Sequence, residues 1–195
     1  MPNLPNVHRA RAGLRIARYI DGPFRRTHVS TNRKIALHYL QHASWKAMPK
    51  EDRELLERAA KAARRAYAPY SKFRVGAALR MEDGPIVEGN NQENASFPAG
   101  TCAERTALHA ALSAMPKGTV ESMAIVVPQV RGQRPVTPCG ICRQALLEQE
   151  RRQEGPIRLL MGIVRGPVIE MFSVDALLPL SFDSAHLPGK RKRRA

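Results

Sequence analysis

The 195 residues suffice for one domain with modest extensions, and an apolar content of 43% excludes a chain that is disordered throughout. The net charge of +15 is concentrated at the two ends: residues 1–50 carry ten Lys or Arg and one acid, and the run KRKRR at 190–194 adds five bases. Residues 51–189 therefore hold a net charge of only +1, which argues against a fold that binds nucleic acid through a basic face.

The N-terminal 30 residues contain Pro, Gly and many Arg without a hydrophobic period, so we expect a flexible basic extension. Its composition loosely resembles a transit peptide, although Ser is scarce. The sequence has neither an apolar signal-peptide core nor a run of about 18 apolar residues that could cross a membrane, and we expect a cytoplasmic protein. The expected domain spans 31–189. The tail at 190–195 fits a nucleic-acid contact, an import signal or, most simply, a solubilising segment.

Hydrophobic periodicity along this domain predicts alternating helices and strands. The predicted helices are 51–66, 102–115 and 138–150, the last with Thr137 as its cap and Pro138 in its first position. The predicted strands are 75–81, 86–90, 122–127, 158–164 and 168–172, with a weaker signal at 34–40. This order predicts the α/β class: a three-layer α/β/α sandwich with a mixed five-stranded sheet.

The three cysteines lie in two short motifs, CAE at 102–104 and PCGIC at 138–142. Each motif begins a predicted helix, and a helix N-terminus favours the thiolate, which is the form that binds zinc. Cys139 and Cys142 are three residues apart and project to one side of a helix. With Cys102 brought across by the fold, three sulfurs can occupy three corners of a tetrahedron. The fourth corner stays open to water, as in catalytic zinc sites.

Glu104 follows two residues after Cys102 and is the candidate catalytic residue, because a carboxylate beside such a site can move protons between water and substrate. A Cys or His, a Glu and a later PCxxC pair form the zinc-deaminase signature. The alternatives are a closed structural zinc site or a redox CxxC pair. A closed site requires a fourth ligand, and the nearest histidine, His109, lies outside both motifs. A redox pair requires neither Cys102 nor Glu104.

Three thiolates on Zn²⁺ leave a net charge of −1, so a neighbouring cation is expected to help. Arg105 follows Glu104, and Arg143 follows Cys142. We favour Arg105 as the donor to the cysteine sulfurs. The alternative for Arg105 is an ordinary salt bridge on the helix surface.

Four segments, AYAPYSKFRVGAAL, GNNQENASFPAGTCAERTAL, TPCGICRQAL and LLPLSF, resemble the cytidine deaminase family in its small homotetrameric, three-cysteine class. The resemblance extends from about residue 51 to residue 187. It implies a hydrolase of pyrimidine salvage that binds one Zn²⁺ per subunit through Cys102, Cys139 and Cys142. The expected reaction converts cytidine or deoxycytidine to the uridine product and ammonia.

The resemblance also implies substrate contacts. Asn91 and Glu93 match the pair that holds the ribose 3′-hydroxyl, and residues two apart on an extended segment do point the same way. Phe73 matches an aromatic packed on the pyrimidine, and the Ala103 N–H matches the donor to its O2. The two remaining matches are Tyr70, near the ribose, and Phe182, which enters a neighbouring subunit's site and makes the sites composite.

Turn or core roles are the alternatives for these polar and aromatic residues, most seriously for Tyr70 and Phe182. Phe97 departs from the family pattern, in which many relatives have Tyr. Two other deaminases share the zinc signature: nucleic-acid editors, which the neutral body disfavours, and antibiotic-nucleoside deaminases. A zinc module without catalysis is the alternative from a different class, and it requires four protein ligands.

Overall fold

The computed structural model describes residues 31–82 and 84–187, so the expected N-terminal extension and basic tail lie outside the described residues. Residues 36–187 belong to one compact unit. None of the helices in the described part of the chain combines the length and apolar character needed to cross a membrane.

Three α-helices and six strands form this unit. The helices are α1 (Lys50–Ala63), α2 (Ala103–Ala114) and α3 (Gly140–Gln153). The strands are β1 (Leu40–His42), β2 (Gly76–Met81), β3 (Ile86–Asn90), β4 (Val120–Val126), β5 (Arg158–Gly162) and β6 (Val168–Met171). They lie in the order β1-β6-β5-β4-β2-β3. The β4–β5 pair is parallel because α3 carries the chain back between them, and every other pair is antiparallel.

Alternating side chains of the central strands form a core on each face of the sheet. Leu79, Met123 and Leu159 pack on one face with apolar residues of α2 and α3. Their neighbours along the strands, such as Ala78 and Leu160, pack on the other face with α1. The predicted three-layer α/β/α architecture is confirmed, with α1 on one side and α2 and α3 on the other.

Gly89 on β3 fixes how closely α2 lies on the sheet. A Cβ there would collide with the backbone of Ala103 and Ala107, so only glycine permits this approach. The close contact sets the first turn of α2, which carries the CAE motif, directly on β3.

The sheet has six strands, so the predicted count of five was wrong by one. Residues 34–39 have no regular secondary structure, and the extra strand is β1, which pairs with β6. Three residues, two of them exposed, are too few to produce a hydrophobic alternation. Contacts distant in sequence hold β1 instead: His42 Nε2 lies 2.7 Å from Glu170 Oε2, and Arg158 Nε donates to Glu170 Oε1 at 2.6 Å.

Helix α3 begins later than predicted. Cys139 has extended backbone angles and is the N-cap, so Thr137 and Pro138 lie outside the helix. The Arg143 N–H donates to the Cys139 carbonyl at 2.9 Å, which closes the first helical turn. The shift of two residues matters because it places a cysteine, rather than a threonine, at the N-cap of α3.

Candidate active site

The two cysteine motifs meet where α2 and α3 begin. Cys102 is the N-cap of α2 as Cys139 is of α3, and Cys142 lies in the first turn of α3. Both helices pack on the same face of the sheet, so their N-termini converge. The positive ends of two helix dipoles therefore point to the three sulfurs and favour their thiolate forms.

The sulfur geometry fits a tetrahedral metal ion. Cys102 Sγ lies 3.8 Å from Cys139 Sγ, which lies 3.5 Å from Cys142 Sγ, and all three atoms are within 4.8 Å of one another. Two sulfurs each about 2.3 Å from a tetrahedral Zn²⁺ lie about 3.8 Å apart. Among the described residues no fourth His, Cys, Asp or Glu joins the cluster, and His109 is exposed outside it. The chain's own donors thus fill three corners, as a catalytic site requires.

The thiols bias one another's ionisation. Hydrogen bonding from the Cys142 thiol lowers the pKa of Cys102 to about 5, and Cys139 and Arg105 contribute in the same direction. The same hydrogen bond raises the pKa of Cys142. The hydrogen bonds within the cluster therefore favour a thiolate among these sulfurs.

Glu104 lies in the first turn of α2 with only 5% of its surface exposed. Burial raises the pKa of its carboxyl group, and the negative charge of Cys102 raises it further. Hydrogen bonding with the Cys142 thiol and the positive charge of Arg105 oppose this shift. A carboxyl group whose pKa is raised toward neutrality is suited to accept and donate protons.

Arg105 faces the sulfurs. Burial lowers the pKa of its guanidinium, but hydrogen bonds to the Cys102 and Cys142 sulfurs outweigh burial and raise it. Its Nη2 also donates to the Gly100 carbonyl at 3.3 Å. This cation can offset the excess negative charge of three thiolates on Zn²⁺.

Arg143 binds two backbone carbonyls and a threonine hydroxyl. Its guanidinium donates to the carbonyls of Pro138 and Leu177, at 2.8 and 2.9 Å, and to Thr137 Oγ1 at 3.3 Å. It therefore ties the loop before α3 to the segment after β6.

A cavity of about 500 Å³ opens beside Cys102. Its lining residues come from the loops after α1 and β3 and from the approach to α2: Tyr70, Ser71, Asn91, Gln92, Glu93, Asn94, Phe97, Gly100, Thr101 and Cys102. Since Cys102 belongs to both, the sulfur cluster and the cavity form one site.

Asn91 and Glu93 line this cavity and also organise the loop opposite them. The Asn91 side chain accepts from the Val75 N–H at 2.7 Å and donates to the Phe73 carbonyl at 2.9 Å. Glu93 Oε2 accepts from the backbone N–H groups of Tyr70 and Ser71, at 2.9 and 3.2 Å. Each side chain keeps hydrogen-bonding capacity for a ligand, because the amide has a second N–H and the carboxylate has further lone pairs.

Three aromatic side chains lie near the loops of this site. Tyr70 and Phe97 both line the cavity and meet edge to face, with ring centroids 6.1 Å apart. Phe97 is 77% exposed. Phe73 is exposed on the same loop as Tyr70 but is not among the lining residues.

Phe182 and Ala103 complete the residues expected from sequence. Phe182 is 58% exposed, stacks on His186 and does not line the cavity of its own chain. Ala103 is buried as the first residue of α2, where an N–H has no acceptor within the helix. Five further lining residues had no predicted role in the site: Ser71, Gln92, Asn94, Gly100 and Thr101. Gln92 and Thr101 exchange backbone hydrogen bonds at 2.8 and 2.9 Å, a pairing without a hydrophobic signal.

The comparisons with known proteins agree with this geometry. The family model of the cytidine and deoxycytidylate deaminase zinc-binding region matches residues 49–153. A cytidine deaminase of Halalkalibacterium halodurans is 43% identical over 132 residues, 67% of this chain and 94% of that protein. One from Mycobacterium tuberculosis is 44% identical over 147 residues, 74% of this chain and 100% of that protein. The crystal structure of a cytidine deaminase from Burkholderia pseudomallei, 40% identical, aligns with a TM-score of 0.60 over 69% of this chain and 100% of that one.

Proposed function

The chain belongs to the cytidine and deoxycytidylate deaminase family, and on that premise we propose that it hydrolyses cytidine and deoxycytidine to uridine and deoxyuridine with release of ammonia. The observation that carries the proposal is the buried carboxyl group of Glu104 against three sulfurs spaced for one tetrahedral ion, beside an open cavity. One Zn²⁺ per subunit is the expected cofactor, and pyrimidine salvage is the expected role.

Cys102, Cys139 and Cys142 would hold the zinc ion, which supplies the Lewis acidity that makes water nucleophilic near neutral pH. Glu104 accepts a proton from the attacking water and donates it to ring N3, so that C4 becomes electrophilic. After the C4–O bond forms, Glu104 takes the remaining hydroxyl proton and passes it to the exocyclic amine. The C4–N bond breaks, ammonia leaves, and the oxygen remains as the uracil carbonyl.

The charge of the cavity supports a free nucleoside as the substrate. None of the described residues that line it is Lys or Arg, and it contains the carboxylate of Glu93. A phosphate group would meet the negative charge of Glu93 without a Lys or Arg among the described lining residues to bind it. Sugar hydroxyls, in contrast, are suitable donors to that carboxylate. We therefore expect nucleosides to be preferred over nucleotides.

The proposed substrate contacts come from the family resemblance, and three of the residues concerned, Tyr70, Asn91 and Glu93, line the cavity. Asn91 and Glu93 hold the ribose 3′-hydroxyl, and Tyr70 lies near the sugar. Phe73 packs against the pyrimidine, and the Ala103 N–H donates to its O2. Arg105 acts through the sulfurs, whose charge it offsets.

We further propose a homotetramer with composite sites, in which Phe182 reaches a neighbouring subunit's cavity. The exposure of several large apolar side chains supports this, since a second copy would cover them. They include Phe97, Ile141, Leu180 and Phe182. Light scattering of the purified chain tests the assembly: a tetramer is expected, and a fully active monomer would contradict it.

The activity is tested by following ultraviolet absorbance and ammonia release with the zinc-loaded chain. Cytidine, deoxycytidine, deoxycytidylate and a cytosine-containing oligonucleotide serve as the four substrates. We expect turnover of both nucleosides and a much lower kcat/KM for the nucleotide and the oligonucleotide. Absence of ammonia release from either nucleoside would refute the proposed function.

A further inference from the structure

The hydroxyl of Ser71 links the carboxylate of Glu93 to the backbone of Phe73. Ser71 Oγ donates to Glu93 Oε1, and the Phe73 N–H donates to Ser71 Oγ at 3.0 Å. A serine hydroxyl has one proton and two acceptor lone pairs, and an ionised carboxylate can only accept. The direction of both hydrogen bonds is therefore fixed, and the single proton of Ser71 is given to Glu93.

Three donors from one loop thus converge on Glu93. The Tyr70 and Ser71 N–H groups bind Oε2, and the Ser71 hydroxyl binds Oε1. With the two N–H groups on Oε2 alone, the carboxylate could still swing about that oxygen. The additional hydrogen bond to Oε1 fixes the orientation of the carboxylate plane. The free lone pair of Oε1 then has a defined direction in the cavity that Ser71 and Glu93 both line.

The loop is itself held in a single conformation. Lys72, between Ser71 and Phe73, has φ +59°, in the left-handed region that side chains other than glycine avoid. The Lys72 N–H donates to the Ala68 carbonyl at 3.1 Å, and the Lys72 carbonyl accepts from Gln129 Nε2 at 3.0 Å. These contacts maintain a backbone conformation that is unfavourable for a residue with a side chain. They present the Ser71 hydroxyl to Glu93 before any ligand binds.

We propose that Ser71 is a positioning residue for substrate specificity, whose hydroxyl orients the Glu93 carboxylate to accept a hydrogen bond from a sugar hydroxyl of the substrate. The proposal rests on the proposed function, because it concerns how that nucleoside is held. The binding energy of this hydroxyl depends on a well-directed acceptor, and a freely rotating carboxylate must be ordered at the moment of binding. Loss of the Ser71 hydroxyl should therefore weaken recognition of the sugar rather than the chemistry at C4.

The experiment compares Ser71→Ala with the unaltered zinc-loaded chain on cytidine, 2′-deoxycytidine and 3′-deoxycytidine. We expect kcat/KM for cytidine to fall about tenfold, mostly through KM, as is typical of a lost hydrogen bond to a charged group. The fall in kcat/KM for 3′-deoxycytidine should be less than threefold, because this nucleoside lacks the hydroxyl that donates to Glu93. Ser71→Thr keeps a hydroxyl and should recover most of the loss. Ser113→Ala, on the exposed side of α2, is the matched control.

Each outcome decides between explanations. A substrate-independent loss would mean that Ser71 supports the loop only, for instance through the Phe73 N–H, and would overturn the proposal, as would no loss. A loss that spares 2′-deoxycytidine instead would reassign the contact to the 2′-hydroxyl. In Glu93→Gln, Ser71→Ala should have almost no further effect, since the two act as a unit. If the unaltered chain turns over none of the three nucleosides, the proposed function fails instead.

Discussion

The sulfur of Cys102 lies 3.8 Å from that of Cys139, although the two residues are 37 positions apart in the chain. Helix α2 and strand β4 lie between them, and the loop after β4 leads the chain back to the start of α3. Both cysteines are N-caps, so the fold brings together two helix N-termini and the sulfur atoms that they carry. The candidate metal site therefore depends on how α2 and α3 pack against each other.

Chemical modification of the three thiols should release the bound zinc. All three cysteines of the chain belong to the cluster, so titration of the holoenzyme with an organomercurial should release one zinc per three thiols modified. A metallochromic indicator reports the zinc, and absorbance at the mercury–thiolate band reports the thiols. Zinc that stays bound after all three thiols have reacted would place the metal elsewhere.

Glu104→Gln should separate catalysis from metal binding. The amide keeps the size of the side chain but cannot exchange protons with water and the substrate, so kcat should fall about 10²–10⁴-fold. Zinc content and Tm should change little, because the three thiolates remain. Glu121→Gln, at an exposed position of β4, is the control and should retain full activity. Turnover within tenfold of the unaltered chain would remove Glu104 from its proposed role.

The sequence predicted the architecture because most of its elements have strong local signals. Successive apolar residues of β2, β4 and β5 pack on opposite faces of the sheet, each face against a helical layer, as in the confirmed α/β/α sandwich. The spacing of Cys139 and Cys142 implied one helix face, which is a local property as well. Strand β1 had no such signal, because its position depends on the contact between His42 and Glu170, 128 residues apart. Similarly, the role of Ser71 depends on the distant Glu93, and no pattern of neighbouring residues reports that contact.

The pH dependence of sugar recognition should reveal the environment of Glu93. The hydrogen bond from Ser71, assisted by the Tyr70 and Ser71 N–H groups, lowers the pKa of Glu93 below its ordinary value. The ionised acceptor therefore persists as the pH falls and is lost only below the usual carboxyl range. We expect the ratio of KM for 3′-deoxycytidine to KM for cytidine to stay constant to a correspondingly low pH. In Ser71→Ala the decline should begin at higher pH.

Protonation of the base affects both nucleosides alike and cancels in this ratio, so the comparison isolates the sugar contact. An identical pH profile for Ser71→Ala and the unaltered chain would show that the Ser71 hydroxyl does not control the ionisation of Glu93.

Two arginines of α3 should differ in their contribution to stability. Arg143 binds two backbone carbonyls and Thr137, whereas Arg151 forms an exposed ion pair with Asp175 at 2.5 Å. Arg143→Ala should lower the free energy of unfolding by about 1–2 kcal/mol and speed zinc loss to a chelator, because it loosens the loop that precedes Cys139. Arg151→Ala should cost about 0.5 kcal/mol or less. Urea denaturation and chelator kinetics measure both effects, and equal behaviour of the two variants would contradict this assignment.

Among these variants, the largest effect on stability should come from replacing Arg158, the first residue of β5, which contacts Asp52 of α1. It forms a bidentate pair with Asp52 at 2.7 and 2.6 Å and donates to Glu170, and both carboxylates are buried. These interactions raise the pKa of Arg158, although its burial opposes the shift. Arg158→Ala leaves two buried carboxylates without their cation, and His42 alone remains beside Glu170. We expect a loss of about 3 kcal/mol in the free energy of unfolding, at the low end for a broken buried pair because Arg158 is partly exposed.

The control Arg134→Ala, in an exposed loop, should change the free energy of unfolding by less than about 0.5 kcal/mol. Restoring part of the loss by adding Asp52→Asn to Arg158→Ala would identify the uncompensated charge as the cause, whereas a further additive loss would point to packing instead.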